Sequence, residues 1–177
     1  MANTLTCPFP ANLDPLSPNG FQLTIAKLPG ISFFCQEANI PSVVLPALGI
    51  NTPLVKMNQP SDQLQYAPLD VKFMIDANMD NYAALLNWME GLGFPEDRDQ
   101  YREYQESQAN GGLITGNYDF SAGTLIILGP NNHEVRRVDF MDLIPTSISS
   151  MVFTTKATDV HYLMGHATFA YTLFKLV

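Results

Sequence analysis

The chain has little charge, little cysteine and few basic residues, and each shortage removes a class of function. Charged residues make up 15% of its 177 positions, well below the roughly 25% usual for soluble domains. Nine are Lys or Arg against 17 Asp or Glu, a formal net charge of −8. Tight nucleic-acid binding usually requires a basic patch. The only adjacent basic pair, Arg136-Arg137, lies among Glu134, Asp139 and Asp142, which argues against a DNA- or RNA-binding role. No window approaches the roughly 18 charge-free apolar residues of a membrane span, and the start Met1 to Pro8 lacks the basic region of a signal peptide. The two cysteines, Cys7 and Cys35, are therefore expected to be reduced thiols, with Cys35 a small core residue.

The catalytic signatures are missing as well. There is no GxxxxGK[ST] or GxGxxG loop to cradle phosphate, and no serine in a G-x-S-x-G elbow. Gly91-Leu92-Gly93 reads as a helix stop. His161 and His166 are five apart on an expected strand, which puts them on opposite faces of a sheet where they cannot share a metal. His133 sits in an expected turn. Cys35 lies in an apolar strand, where packing explains it better than nucleophilic chemistry. Asp97 and Asp99 belong to a charged segment that reads as a solvated face. No catalytic, cofactor-binding or metal-binding residue is expected, no cofactor is implied, and the chain does not read as an enzyme.

Hydrophobic residues reach 46%, and a chain of this length buries an adequate core as one domain without disulfide or metal staples. Low charge suits a subunit that lives inside an assembly, since interfaces shed charged residues. It equally suits a compact β-rich protein with a neutral polar surface.

The prolines at 8, 10, 15 and 18 mark residues 1–19 as an extended N-terminal arm. From Gly20 the pattern changes: Phe21, Leu23 and Ile25 alternate with Gln22, Thr24 and Ala26, the signature of a half-buried strand. Leu28-Pro29-Gly30-Ile31 suits a type II turn, so Ile31–Gln36 is expected to return as the second strand of a hairpin. Leu69, Val71, Phe73 and Ile75 form the clearest strand. A helix over about 80–92 follows, capped by Asn78 or Asp80. Its expected apolar face is Tyr82, Leu85, Leu86 and Met89, widened by Trp88 and Leu92. Glu96–Gln108 reads as a short solvated helix within an insert, 94–117, and 109–117 as a glycine-rich loop. Thr124–Leu128, the turn Gly129-Pro130-Asn131-Asn132 and Glu134–Leu143 form a second hairpin. Strands are expected again over Ser147–Thr155 and His161–Val177. The sum is a mainly β (α+β) sandwich or barrel of about seven strands with one principal helix.

The segment 41–68 stands apart. Between Ser42 and Pro68 only Lys56 and Asp62 carry charge, yet it reads as a loop far longer than the roughly 12–15 residues beyond which loops are functional or disordered. It is too apolar for disorder. A segment of this kind buries itself against a neighbour, which nominates Ile40, Pro41, Val44, Leu45, Leu48, Ile50, Leu54, Val55 and Met57 as subunit-interface residues.

The order of motifs carries a resemblance. Phe21-Gln22-Leu23-Thr24-Ile25 leads to Phe33-Phe34-Cys35-Gln36-Glu37-Ala38-Asn39-Ile40-Pro41 and Pro60-Ser61-Asp62. Then come Tyr66-Ala67-Pro68-Leu69-Asp70-Val71-Lys72-Phe73, Tyr82-Ala83-Ala84-Leu85-Leu86-Asn87-Trp88 and Phe169-Ala170-Tyr171-Thr172-Leu173. Over residues 20–177 this resembles the tail tube proteins of contractile-tailed, T4-type bacteriophages. The resemblance implies a structural virion protein forming hexameric rings that stack into a tail tube, with a continuous inner barrel and a lumen through which DNA passes without specific binding. It implies tail sheath and baseplate or neck proteins as partners, no membrane, and assembly in the host cytoplasm into the virion tail. Segment 41–68 resembles the part that reaches an adjacent ring or subunit. A specialised ring of the same fold (a baseplate tube initiator or a tail completion protein), a secretion-system tube and a ligand-binding β-barrel are the alternatives.

Overall fold

The protein was analysed as a computed structural model that describes residues 15–51, 53–93, 95, 99, 101–102, 106, 119–155 and 162–177. Among the described residues the elements follow in the order β1 (Phe21–Ile25), α1 (Pro29–Phe34), β2 (Cys35–Ala38), β3 (Val43–Val44), β4 (Ala47–Asn51), β5 (Lys56–Pro60), β6 (Gln65–Tyr66), β7 (Leu69–Met74), α2 (Asp80–Gly93), β8 (Ser121–Leu128), β9 (Glu134–Ile148), β10 (Met164–Ala170) and β11 (Leu173–Leu176). Seven strands make one antiparallel sheet in the order β1-β8-β9-β10-β7-β2, with β11 added alongside β9. The expectation of a mainly β domain with one principal helix holds, and the sheet remains open, with β1 and β2 at its two ends.

The strand β9 belongs to both halves of the sheet. Its N-terminal half pairs with β8 and β11, and its C-terminal half with β10. Asp142, at φ 58°, sits between the halves. Asp tolerates this left-handed conformation better than most residues, and it stands where the strand changes partners from β8 and β11 to β10. Pro145 has no N–H to give the ladder, and the β9–β10 register shifts beside it, between Thr168 and Phe169.

Alternation decides which side chains the sheet buries. Leu23 and Ile25 of β1, Leu69, Val71 and Phe73 of β7, Leu125 of β8, Val138, Phe140 and Leu143 of β9, and Ala167 and Phe169 of β10 form one cluster with Leu28, Ile31, Leu85 and Trp88. Glycine is required at 165, where a Cβ would stand 2.8 Å from the ring of Phe73 on the paired strand.

The first hairpin read from the sequence does not form. Pro29 occupies the first turn of α1, where its fixed φ favours helix and its missing N–H costs nothing. Ser32 Oγ accepts the Ile25 N–H at 2.9 Å and donates to the Leu28 carbonyl at 3.2 Å, and Ile31 is wholly buried. The chain therefore crosses the open side of the sheet, so that β1 pairs with β8 and β2 with β7. The second hairpin is present as β8–β9. Among the described residues, strand structure ends at Ile148, short of Thr155, and is next present from Met164.

Helix α2 is present, with its buried stripe rotated from the expected face. Asn81, Leu85 and Trp88 are buried, while Leu86 is 37% exposed and Tyr82 and Met89 are half-buried. Polar anchors set the rotation. Asn81 Nδ2 donates to the Met74 carbonyl at 2.8 Å, and Trp88 Nε1 donates to the Asp119 carbonyl at 3.3 Å. Of the charged segment, Asp99, Tyr101, Arg102 and Glu106 are described and helical. Arg102 lies 3.6 Å from Asp99 and 3.9 Å from Glu106. Residues 1–14, most of the insert 94–117, Cys7 and His161 lie outside the described residues.

The rotated stripe makes a prediction. Leu85→Ala should lose about 2–5 kcal/mol, as for a buried leucine, whereas Leu86→Ala should stay within about 1 kcal/mol, near the range for exposed positions. Urea unfolding followed by far-UV circular dichroism checks both. Equal losses would place the helix face as the sequence pattern alone suggests.

Candidate assembly surface

The segment 41–68 is strand rather than irregular loop. β3 pairs with β6 and β4 with β5, so the chain leaves the sheet after β2, runs out as a two-stage antiparallel hairpin and returns to β7. Backbone bonds from Ala67 N–H to Ser42 O at 3.0 Å and from Ser61 N–H to Pro46 O at 2.9 Å tie its base and middle. At about 3.4 Å per residue β4 alone adds ~17 Å of reach.

Among the described residues, hardly anything covers this arm. Every residue of β3, β4, β5 and β6 is exposed. Of the nominated interface residues, Pro41 is buried and the other eight are exposed. Ile40 and Pro41 sit where the arm leaves β2, Val44 lies in β3 and Leu45 just beyond it. Leu48 and Ile50 belong to β4, Met57 to β5, and Leu54 and Val55 to the connection at the tip. Leu54 is 94% exposed.

The register sorts these side chains onto two faces. Directly opposed residues of an antiparallel pair share a face, and the opposed pairs are Leu48 with Gln59, Ile50 with Met57, Gly49 with Asn58 and Asn51 with Lys56. Leu48, Ile50 and Met57 thus make an apolar face, with Asn51, Lys56 and Asn58 behind it.

An aromatic cluster anchors the arm's base. Tyr66 of β6 stacks edgewise on Tyr171 and Phe174, at 6.1 and 5.6 Å between ring centroids, and Phe140 lies 5.1 Å from Tyr171. The Tyr171 hydroxyl donates to the Ala67 carbonyl at 2.8 Å. Burial, and then the neighbouring Tyr66, push the Tyr171 phenol up to about 12. On the other side of the base, Asn39 Oδ1 accepts the Asp70 N–H at 2.8 Å. Periodicity does not announce Tyr66 as an anchor, because its partners are more than 100 positions away.

Two other features complete the surface. Between the sheet's ends, a groove of about 370 Å³ is lined by Leu16, Phe21, Ala38, Ile40, Leu125 and Ile127. Outside the arm, the residues Phe33, Val152, Phe153 and Tyr162 are each more than 70% exposed.

Cys35 packs at the margin of the core, and burial pushes its thiol up to about 11, which leaves it protonated near neutrality. His166 lies 3.5 Å from Asp70 on an outward face beside the 2.7 Å Lys72–Glu37 pair. Among the described residues no group of three or more His, Cys, Asp or Glu could hold a metal ion, and no helix is long and apolar enough to cross a membrane.

The chain matches the phage tail tube protein family over residues 7–176. Among solved structures, it is similar to a chain of the anti-feeding prophage tube-terminating cap, with 11% identity, TM-score 0.61 and 99% of each chain covered. A chain of the anti-feeding prophage baseplate gives 9% identity and TM-score 0.57, covering 93% of this chain and 96% of that one. A chain of the sheath-tube complex of an extracellular contractile injection system gives 8% and 0.55, covering 92% and 91%. At these identities the likeness is one of fold. Comparison with curated proteins yields no match.

The base of the arm yields a titration test. A phenol whose pKa is raised on folding adds stability that is full below its ordinary value of 10.0 and is lost as pH rises through about 12. Tyr171→Phe should lower stability at neutral pH by about 1 kcal/mol, the usual worth of a hydrogen bond. It should also flatten the decline of melting temperature between those two pH values. An unchanged alkaline profile in the variant would show that Tyr171 does not anchor the arm.

Proposed function

The chain belongs to the phage tail tube protein family, and from that premise we propose that it is the repeating subunit of the tail tube of a contractile-tailed phage. Its role is structural. Six copies form a ring, and rings stack into the conduit through which DNA leaves the virion. The observation that carries this reading is the hairpin arm, with its large apolar side chains uncovered in the single chain. A monomer does not ordinarily hold out so much contiguous apolar surface, whereas a subunit loses that surface on assembly. The arm, with Ile40, Val44, Leu45, Leu48, Ile50, Leu54, Val55 and Met57, is the inter-subunit contact, and the buried Pro41 fixes its exit.

The sheet's ends support ring formation. Five successive antiparallel pairings separate β1 from β2, so the two run in opposite senses. A β2 edge set beside the β1 edge of the next copy therefore continues the antiparallel pattern. Joining edges in this way removes unpaired strands that would otherwise promote aggregation. A head-to-tail contact that closes by rotation makes a ring, and one that does not close makes a filament. The net charge of −8 suits a conduit for DNA, because acidic surface repels phosphate. Sheath proteins outside the tube and baseplate or neck proteins at its ends are the expected partners, with assembly in the host cytoplasm.

Negative-stain electron microscopy of the purified chain should show six-fold rings or tubes. Leu48→Asp or Leu54→Asp should abolish polymerisation while circular dichroism reports a folded chain. Tubes of normal length from both variants would sink the role given to the arm.

A further inference from the structure

The turn that feeds the edge strand β1 carries a reactive backbone pair. Ser17-Pro18-Asn19-Gly20 places proline second in the turn and glycine fourth, the preferences of a type I β-turn. Asn19 is exposed, and among the described residues no hydrogen bond holds its side-chain amide. Gly20 is fixed by close approach. A Cβ there would stand 2.8 Å from the Leu128 carbonyl oxygen and 3.1 Å from Leu128 Cβ, and the Leu128 N–H donates to the Gly20 carbonyl at 2.9 Å. Packing against β8 thus demands glycine at 20, directly after an exposed asparagine.

We propose that Asn19-Gly20 is a site of spontaneous modification, in which the Asn19 amide passes through a cyclic imide to aspartate and isoaspartate. Hydroxide takes the proton of the Gly20 backbone nitrogen, which attacks Cγ of Asn19. A new C–N bond closes the ring, the bond to the side-chain nitrogen breaks, and ammonia leaves with a proton from water. Water then opens the ring. Cleavage between Gly20 N and Cγ gives aspartate on a normal backbone, and cleavage between Gly20 N and the residue 19 main-chain carbonyl gives isoaspartate. The balance is water in and ammonia out, with no oxidant or reductant. Glycine favours the attack because, without a Cβ, it leaves its nitrogen open and its backbone free to rotate.

Position gives the change its consequence. Isoaspartate routes the main chain through the side-chain carbon, adding a backbone atom between residue 19 and Gly20. That atom enters immediately ahead of the Gly20–Leu128 bond and the β1–β8 ladder. Among the described residues β1 pairs with β8 alone, at one end of the sheet, so no second neighbour holds it against the displacement. Both products also add a negative charge to a chain already at −8, beside the groove that Leu16, Pro18, Gly20 and Phe21 help to line.

The test holds the full chain in mildly alkaline buffer, samples it over days and digests it with trypsin. Residues 1–27 leave as one peptide and 103–136 as another, which separates Asn19-Gly20 from the chain's other Asn-Gly pair, Asn110-Gly111. Peptide 1–27 should gain the mass of an amide-to-acid exchange, faster at higher pH, and should accept a methyl group from protein isoaspartyl methyltransferase. Asn19→Gln, whose longer side chain closes its ring far more slowly, should remove both signals while circular dichroism reports an unchanged fold. Amide hydrogen exchange at Leu128 should quicken several-fold in aged wild-type chain. It should not quicken in fresh Asn19→Asp, which has the charge without the lengthened backbone. A peptide 1–27 that stays unmodified, whether or not 103–136 converts, overturns the site. Signals that survive in Asn19→Gln move the chemistry to Asn3 or Asn12 and overturn the assignment. Equal Leu128 exchange in aged and fresh wild-type chain overturns the effect on β1.

Discussion

The structure depends on one strand serving both halves of the sheet. β9 holds β8 and β11 along its first half and β10 along its second, so the two halves cannot separate without breaking its ladder. The bend at Asp142 and the slip beside Pro145 are the local irregularities that dual service demands. Phe140 and Leu143, on either side of the bend, are both buried. The core is therefore continuous through the bend, and the helix α2 closes it through Leu85 and Trp88.

With that body in place, the arm is supported at its base and left uncovered along its length. The aromatic group of Tyr66, Tyr171, Phe174 and Phe140 and the bonds at Asn39 and Ala67 hold its root. Past that root, the strands of the arm pair only with each other among the described residues. An isolated two-stranded hairpin is at best marginally stable in water. The arm is thus oriented by the body but completed only by what covers it, which is the arrangement expected of a chain built to join others.

Much of the body was legible because its strands bury one face. β7 and β10 alternate strictly and fall where alternation puts them, and the Gly129 to Asn132 turn marks the β8–β9 hairpin. The misreadings have physical causes. Pro29-Gly30 fits a turn and the start of a helix equally well, and the choice is made by Ser32 and by the burial of Ile31, both tertiary effects. The helix face was misjudged because a polar residue, Asn81, points inward for its hydrogen bond to Met74. The strands of the arm escaped notice because alternation reveals a strand only when one face is buried, and here both are open. Its apolar, charge-poor composition was nevertheless visible.

The near absence of charge on the arm bears on how contacts made with it respond to conditions. An association dominated by apolar burial is driven by entropy near room temperature and carries a large heat-capacity change. It weakens on cooling, and screening by salt touches it little because screening acts on charges. A joint made through Leu48, Ile50 and Met57 is accordingly tightest in warm solution and loosens in the cold, so chilling favours the separate subunit.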